Sequence, residues 1–214
     1  MQVAIEQTES AIYNQISLLP QEIEKLYAAA QMGAAGALNA LRDFIGIQTD
    51  IHLNCLSFMP LPALLDHIRR NYSDHIAFHL RSAGEINGEI YTFFQEKDAM
   101  TLIRHILGPR FPKNSKFLSP VEISVLTELV TMLSNSFWCS LTDKTSLNWW
   151  FTPPVRITNM ERVLKISAKV YLLDHSLMQY EYLIEALGIR VQFLMLPTNS
   201  TLKKILAKLN PAPF

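Results

Sequence analysis

The feature that most constrains this chain is an internal repeat. Shifting the 214-residue sequence by 100 places Ser17–Asp43 over Phe117–Asp143 without a gap. Leu18/Leu118, Pro20/Pro120, Glu22/Glu122, Ile23/Ile123, Leu26/Leu126, Met32/Met132, Leu41/Leu141 and Asp43/Asp143 are identical, eight matches in the 26 positions from 18 to 43. Unrelated stretches of ordinary composition share about two. The same shift lays Gly88–Gly108 over Gly188–Lys208 and matches Gly88/Gly188, Phe93/Phe193, Thr101/Thr201 and Leu102/Leu202. Two copies of this length are too few and too long for a solenoid. The expectation is one domain built of two repeats, 1–108 and 109–214, that meet across a pseudo-twofold axis and share a core.

Each copy reads as the same series of elements. A long helix is expected over about 20–45 and 120–143. Pro sits in its first turn, where a missing N–H is harmless, and Glu22 or Glu122 complements the positive helix end. Ser119 with Glu122 three residues on has capping-box spacing. Leu126, Leu129, Met132, Leu133 and Phe137 recur at helical spacing as a buried stripe. Alternation predicts strands at Ile76–Arg81 and Glu89–Phe94, joined by a turn at Glu85-Ile-Asn-Gly. Their expected counterparts are Val163–Leu173 and Arg190–Leu196. Short amphipathic helices, Lys97–Leu107 and Ser200–Leu209, close the copies, with Pro109–Ser115 as linker. The fold class is α+β, an antiparallel sheet packed against long helices.

Composition narrows the function classes. Lys plus Arg and Asp plus Glu both number 19, so the chain is neutral and unlike a nucleic-acid binder that relies on neutralising phosphates. The Leu26–Leu41 stretch is shorter than a membrane span and contains Gln31 and Asn39. Met1–Ser10 has neither the basic nor the apolar region of a signal peptide, so a cytoplasmic location is expected. Cys55 and Cys139 form no motif and are expected to be buried free thiols. His75 and His79, four apart, fall at a strand start and are not expected to hold a metal. Trp149 and Trp150 beside Phe151 fit core packing at a strand entrance, with a partner-binding patch as the alternative. There is no GxGxxG, Walker, GxSxG or HExxH motif, and no cofactor or metal is expected.

The second long helix carries a polar stripe, Ser124, Glu128 and Thr131, at spacing i, i+4, i+7. From spacing alone this is a solvated face. Here the sequence resembles the CheC/CheX/FliY family of chemotaxis phosphatases, whose two units each bear S/D-x3-E-x2-N on a long helix, followed by Pro. Ser124 and Glu128 take the first two motif positions, and Pro154 follows Thr131 after 22 intervening residues. Gly88–Gly108 and Gly188–Leu209 are similar to the family's hairpin and terminal strand–helix. The motif Asn is Thr131 in the second copy. The first copy reads Glu24, Ala28 and Gln31, with Asn54 at the Pro position.

The resemblance implies the CheC-like fold, with two pseudo-symmetric repeats. It implies binding of a phosphorylated response regulator of CheY type, with Ser124, Glu128 and Glu24 as partner-binding residues. Catalytic roles in aspartyl-phosphate hydrolysis fall to Glu128, Thr131 and Gln31. CheD, a partner of some family members, is a further expected partner. Because both motifs are incomplete, the expected activity is weak or absent. The alternative implied by the same resemblance is a non-catalytic flagellar switch or scaffold protein similar to the FliM middle domain.

Overall fold

The structure is a computed structural model. It describes residues 18–46, 48–59, 65–66, 70, 74–108, 118–171 and 177–209. The elements in chain order are α1 (Pro20–Ile45), β1 (Ile51–Met59), β2 (His75–Gly84), β3 (Gly88–Gln95) and α2 (Glu96–Leu107). Then come α3 (Pro120–Thr145), β4 (Trp149–Phe151), β5 (Val155–Ile157), α4 (Met160–Tyr171), β6 (Leu177–Ile184), a single 3-10 turn, β7 (Ile189–Pro197) and α5 (Asn199–Lys208). The seven strands form one antiparallel sheet in the order β1-β6-β7-β3-β2-β4, with β5 also on β2.

The long helices start and stop where their chemistry dictates. At α3 the Ser119 hydroxyl accepts from Glu122 N–H at 3.3 Å, and Glu122 accepts from Ser119 N–H at 2.6 Å. At α1 Leu19 has no hydroxyl to offer, so only the return bond forms, Leu19 N–H to Glu22 at 2.8 Å. Both helices end in a left-handed residue, Gly46 or Ser146, whose N–H closes the last turn.

The repeat is visible in burial. Leu26/Leu126, Ala29/Leu129, Ala30/Val130, Leu41/Leu141 and Ile45/Thr145 are buried in both helices, as are Ala34/Ser134 and Gly33/Leu133. Small residues on α1 correspond to larger ones on α3, so the two packed helices are complementary in volume. Each fully buried leucine stabilises the core by about 1.5–3 kcal/mol. Met132 is half-buried at the edge of the expected stripe, and the Phe137 side chain lies outside the described residues.

The sheet shows how the copies interlock. β3 and β7 are neighbours, and Tyr91 is paired directly with Leu194. The pseudo-twofold axis runs between those two residues. β1 of the first copy pairs with β6 of the second, and β4 and β5 of the second pair with β2 of the first. Each copy therefore completes the other's half of the sheet.

Three expectations are corrected. The strand expected over Val163–Leu173 is a helix as far as the structure describes it: residues 160–171 form α4, residues 172 and 173 lie outside the described residues, and β6 is the counterpart of β2. The Asn159 side chain caps α4 by accepting from Arg162 N–H at 2.9 Å, and Met160, Val163 and Leu164 share one helical face. The apparent alternation from Val163 was the weaker signal, because a capped helical period also fits it. Second, the shift of 100 does not hold throughout. It relates α1 to α3, but the matching bonds Glu85 N–H to Asn148 O and Glu185 N–H to Asp50 O make Asp50 equivalent to Asn148 and Ile51 to Trp149. Matching bonds and sheet pairing keep Leu80 equivalent to Tyr180 but make Tyr91 equivalent to Leu194. In the closing helices burial makes Ala99 equivalent to Leu202 and Leu102 to Ile205. Phe93 and Phe193, aligned in sequence, face opposite sides of the sheet. A one-residue slip flips a strand side chain. Third, Cys139 is exposed, one turn beyond exposed Asn135 on the outward stripe of α3. The Cys55 side chain and Pro109–Ser115 lie outside the described residues.

The sheet is covered on both faces. Against α1, α2, α3 and α5 lies the main core, with Phe78, Leu80, Ile90, Phe94, Tyr182 and Met195. On the opposite face Ala77, Tyr91, Phe93, Leu194 and Leu196 pack against Leu164 of α4.

Candidate functional site

The residues singled out in the sequence fall on two helices. On α3, Ser124 and Glu128 are exposed and Thr131 is half-buried. They lie opposite the Leu126, Leu129, Val130 and Leu133 face, as helical spacing requires. On α1, Glu24 and Gln31 are exposed, seven residues apart, with Ala28 half-buried between them. The structure thus brings Ser124, Glu128 and Thr131 together on one helix face and Glu24 and Gln31 on another. The pseudo-twofold relates the helices that carry the two faces.

The Thr131 hydroxyl is already committed. It donates to the Thr127 carbonyl at 2.8 Å, as Thr127 donates to that of Ile123 at 2.8 Å. A threonine back-bonded in this way keeps two acceptor lone pairs but has no proton left for a ligand. Pro154 lies in the break between β4 and β5. Its first-copy counterpart Asn54 donates to Glu181 at 2.5 Å, and Gln192 donates to the other Glu181 oxygen at 2.7 Å.

A second polar cluster was not singled out by the sequence reading. Glu89 is buried on the α4 face of the sheet with a side-chain exposure of 1%. Arg81 Nε donates to one carboxylate oxygen at 3.1 Å; Tyr91 OH donates to the other at 3.1 Å, and His79 Nε2 bonds that same oxygen. The ring of His79 stacks on Tyr91 with centroids 4.9 Å apart. The signal was present: a lone acid in an apolar strand, with the predicted hairpin placing Arg81 directly opposite Glu89. His75 lies on the same strand face as His79 by alternation. Burial lowers its imidazole below the usual 6.5, against the opposing pull of Asp74 and Asp98. Burial raises the Tyr180 and Tyr182 phenols well above their ordinary value.

Of the two adjacent tryptophans, one packs in the core as expected and the other faces water. Trp149 packs edge-on against Trp138, with centroids 4.4 Å apart, and its indole N–H donates to Thr142. Phe151 packs against both rings. Trp150, between them, is 63% exposed.

No protein-family model matches the chain, and no curated protein matches it in sequence. Solved structures do match. Thermotoga maritima FliY superposes with a TM-score of 0.70 at 14% identity, over 90% of this chain and 98% of that one. FliM in the FliG–FliM complex of H. pylori matches with 0.63 at 12%, over 89% and 100%. The CheX–CheY–BeF3–Mg complex of Borrelia burgdorferi contributes a match of 0.51 at 16%, over 83% and 98%. The chain has the CheC/CheX/FliY/FliM fold. The fold expected from the motif-bearing helices is therefore present, over nearly the whole length of the CheC-like structures compared. Among the described residues no helix is long and apolar enough to cross a membrane.

Proposed function

We propose that this protein binds a CheY-type response regulator in chemotaxis or at the flagellar switch, and has little or no aspartyl phosphatase activity. The duplicated chain, 1–108 with 109–214, works as one unit. The observation that carries the reading is the state of α3. Ser124 and Glu128 stand free of the core on one exposed face, while the Thr131 hydroxyl proton is bonded to the Thr127 carbonyl.

The chemistry explains the division. Hydrolysis of an aspartyl phosphate forms a bond from water oxygen to phosphorus and breaks the bond to the carboxylate oxygen, with attacker and leaving group in line. Catalysis is mostly positioning of that water. An amide on a flexible arm offers both donor and acceptor. Thr131 offers only acceptor lone pairs, on a short β-branched side chain whose rotamer is set by its helix. Gln31 on α1 keeps an amide, but Ala28 replaces the carboxylate beside it. Docking needs only Glu128 and Ser124.

The test incubates the protein with the phosphorylated CheY-type regulator of its own genome. The expected result is saturable binding, abolished by Glu128→Lys, with a phosphate half-life close to that of the regulator alone. Thr131→Asn is expected to shorten that half-life. Binding indifferent to Glu128→Lys rejects the assigned face, and rapid wild-type dephosphorylation rejects the inactive site.

A second reading, a rotor scaffold, is favoured by the likeness to a FliM chain taken from a complex with FliG, which this fold matches over its whole length. Co-purification with rotor proteins, unaffected by Glu128→Lys, would support it over regulator docking.

A further inference from the structure

One corner of the sheet gathers three metal-ligating side chains from both copies of the repeat. Asp50 directly precedes β1, His52 lies in it, and Glu185 opens the 3-10 turn that joins β6 to β7. One ligand atom of each lies within 4.8 Å of the other two. Spacing along the chain could not show the set, because Glu185 belongs to the other copy. The backbone that carries it is fixed on both sides. Ile51 pairs with Ile184 and His52 with Leu183, and Glu185 N–H donates to the Asp50 carbonyl at 3.0 Å. Ala186 N–H donates to the Thr49 hydroxyl at 3.1 Å.

The equivalent corner of the other half shows that this convergence is not imposed by the fold. There Asn148, Trp150 and Glu85 take the places of Asp50, His52 and Glu185. Glu85 turns to the backbone and accepts from Asn148 N–H at 2.7 Å. Glu185 makes no such bond to Asp50 N–H among the described residues, and its carboxylate meets His52 Nε2 at 3.1 Å instead. Two ligands of one Zn2+, each about 2.0–2.2 Å from it at angles between square and tetrahedral, stand about 2.8–3.6 Å apart. The His52–Glu185 separation falls in that interval. Arg42 donates to one oxygen of Asp50 at 3.0 Å and to the Thr49 carbonyl at 2.8 Å. The second Asp50 oxygen has no partner among the described residues, and an outer hydrogen bond of this kind orients a ligating carboxylate. All three side chains are exposed, so rotation closes the remaining distances and water reaches the open coordination positions.

We propose that Asp50, His52 and Glu185 form a site for a divalent transition cation of the Zn2+ class, with water completing its coordination. An imidazole beside two carboxylates suits Zn2+ over Mg2+ or Ca2+, which take oxygen ligands. The bound ion joins the first strand of one copy to a turn of the other, where the two halves of the sheet cross over. Its role is a clamp. An ion held by the folded chain, and not by its separated ligands, stabilises the fold by mass action. The opposite corner offers Asn148 and Trp150 in place of an acid and an imidazole, so each chain takes a single ion at this kind of corner.

The test titrates the metal-stripped full chain with ZnCl2 by calorimetry and follows thermal unfolding with and without the ion. One equivalent is expected to bind, with an unfolding temperature that rises with Zn2+ concentration and falls back on addition of EDTA. Asp50→Asn, His52→Gln and Glu185→Gln, conservative changes at exposed positions, should each weaken binding about tenfold or more and remove the thermal shift. Glu85→Gln, at the opposite corner, should leave Zn2+ affinity unchanged, and Mg2+ in large excess should not displace Zn2+. No saturable binding, or binding that survives both His52→Gln and Glu185→Gln, would overturn the site. Displacement by Mg2+ would overturn the assigned class of ion, and binding without a thermal shift would overturn the clamp.

Discussion

Removing the guanidinium of Arg81 tests the buried carboxylate at the centre of the sheet. Arg81→Met keeps most of the aliphatic stem and deletes the donor that meets Glu89 at 3.1 Å. A hydrogen bond to a charged group contributes about 1.5–3 kcal/mol to stability. The Arg81 side chain is 60% exposed, so its own charge is screened, and the lower end of that range, about 1.5–2 kcal/mol, applies. Nearly all of the loss comes from the other partner. Glu89 is 1% exposed and is left holding a full negative charge in the interior without the guanidinium. The loss should therefore vanish when that charge is removed first. On a Glu89→Gln background, Arg81→Met is expected to cost under about 0.5 kcal/mol, a coupling of at least about 1 kcal/mol between the sites. Urea unfolding of the four proteins measures this through the shift in midpoint at constant m. If Arg81→Met costs the same on both backgrounds, Glu89 is not held by the guanidinium and the reasoning fails.

Four further outcomes are expected. Tyr182 OH donates to the Ala30 carbonyl at 3.1 Å, tying the sheet to α1, so Tyr182→Phe should cost about 1 kcal/mol. Because burial raises the Tyr180 and Tyr182 phenols, the unfolded chain loses those protons first as pH rises past about 10. Stability should fall there, less steeply in Tyr182→Phe, as followed by denaturant midpoints against pH. His75 has the opposite sense. Its imidazole is lowered by burial, so the unfolded state binds the proton more readily below 6.5, and stability should drop on acidification through that range. His75→Gln should flatten that slope, and an unchanged slope would exclude His75 as its source. Ser134 is fully buried on α3 with no hydrogen-bond partner for its hydroxyl among the described residues, where α1 has Ala34. Ser134→Ala should be neutral or raise stability by up to about 1 kcal/mol, and a clear loss would mean the hydroxyl is paired.

The long helices were legible because their determinants are local. Pro20 and Pro120, the Glu22 and Glu122 reach-back, and the Leu26/Leu126 and Leu41/Leu141 spacing all act within a few turns of the same helix. The β2–β3 hairpin was legible for the same reason. Helix α4 was missed because Val163–Val170 supports both periods, and the Asn159 cap that decides between them was passed over. The Ser124, Glu128 and Thr131 face followed from helical spacing. The engagement of the Thr131 proton did not, since a threonine rotamer is chosen by the helix around it.

The sequence by itself determined the duplication, the α+β class, the ends of α1 and α3 and the residues on their outward faces. Tertiary structure alone decided the register between the two copies, which slips from one element to the next as the connections differ in length. It decided that β1 and β4–β5 cross over to complete the other half of the sheet. It decided that Glu89 is buried with Arg81, and that Trp150 faces water while Trp149 does not. The physical reason is that a strand side chain has two faces to choose from, and pairing with a distant segment makes the choice. A helix in this chain carries its own period and caps within its own residues.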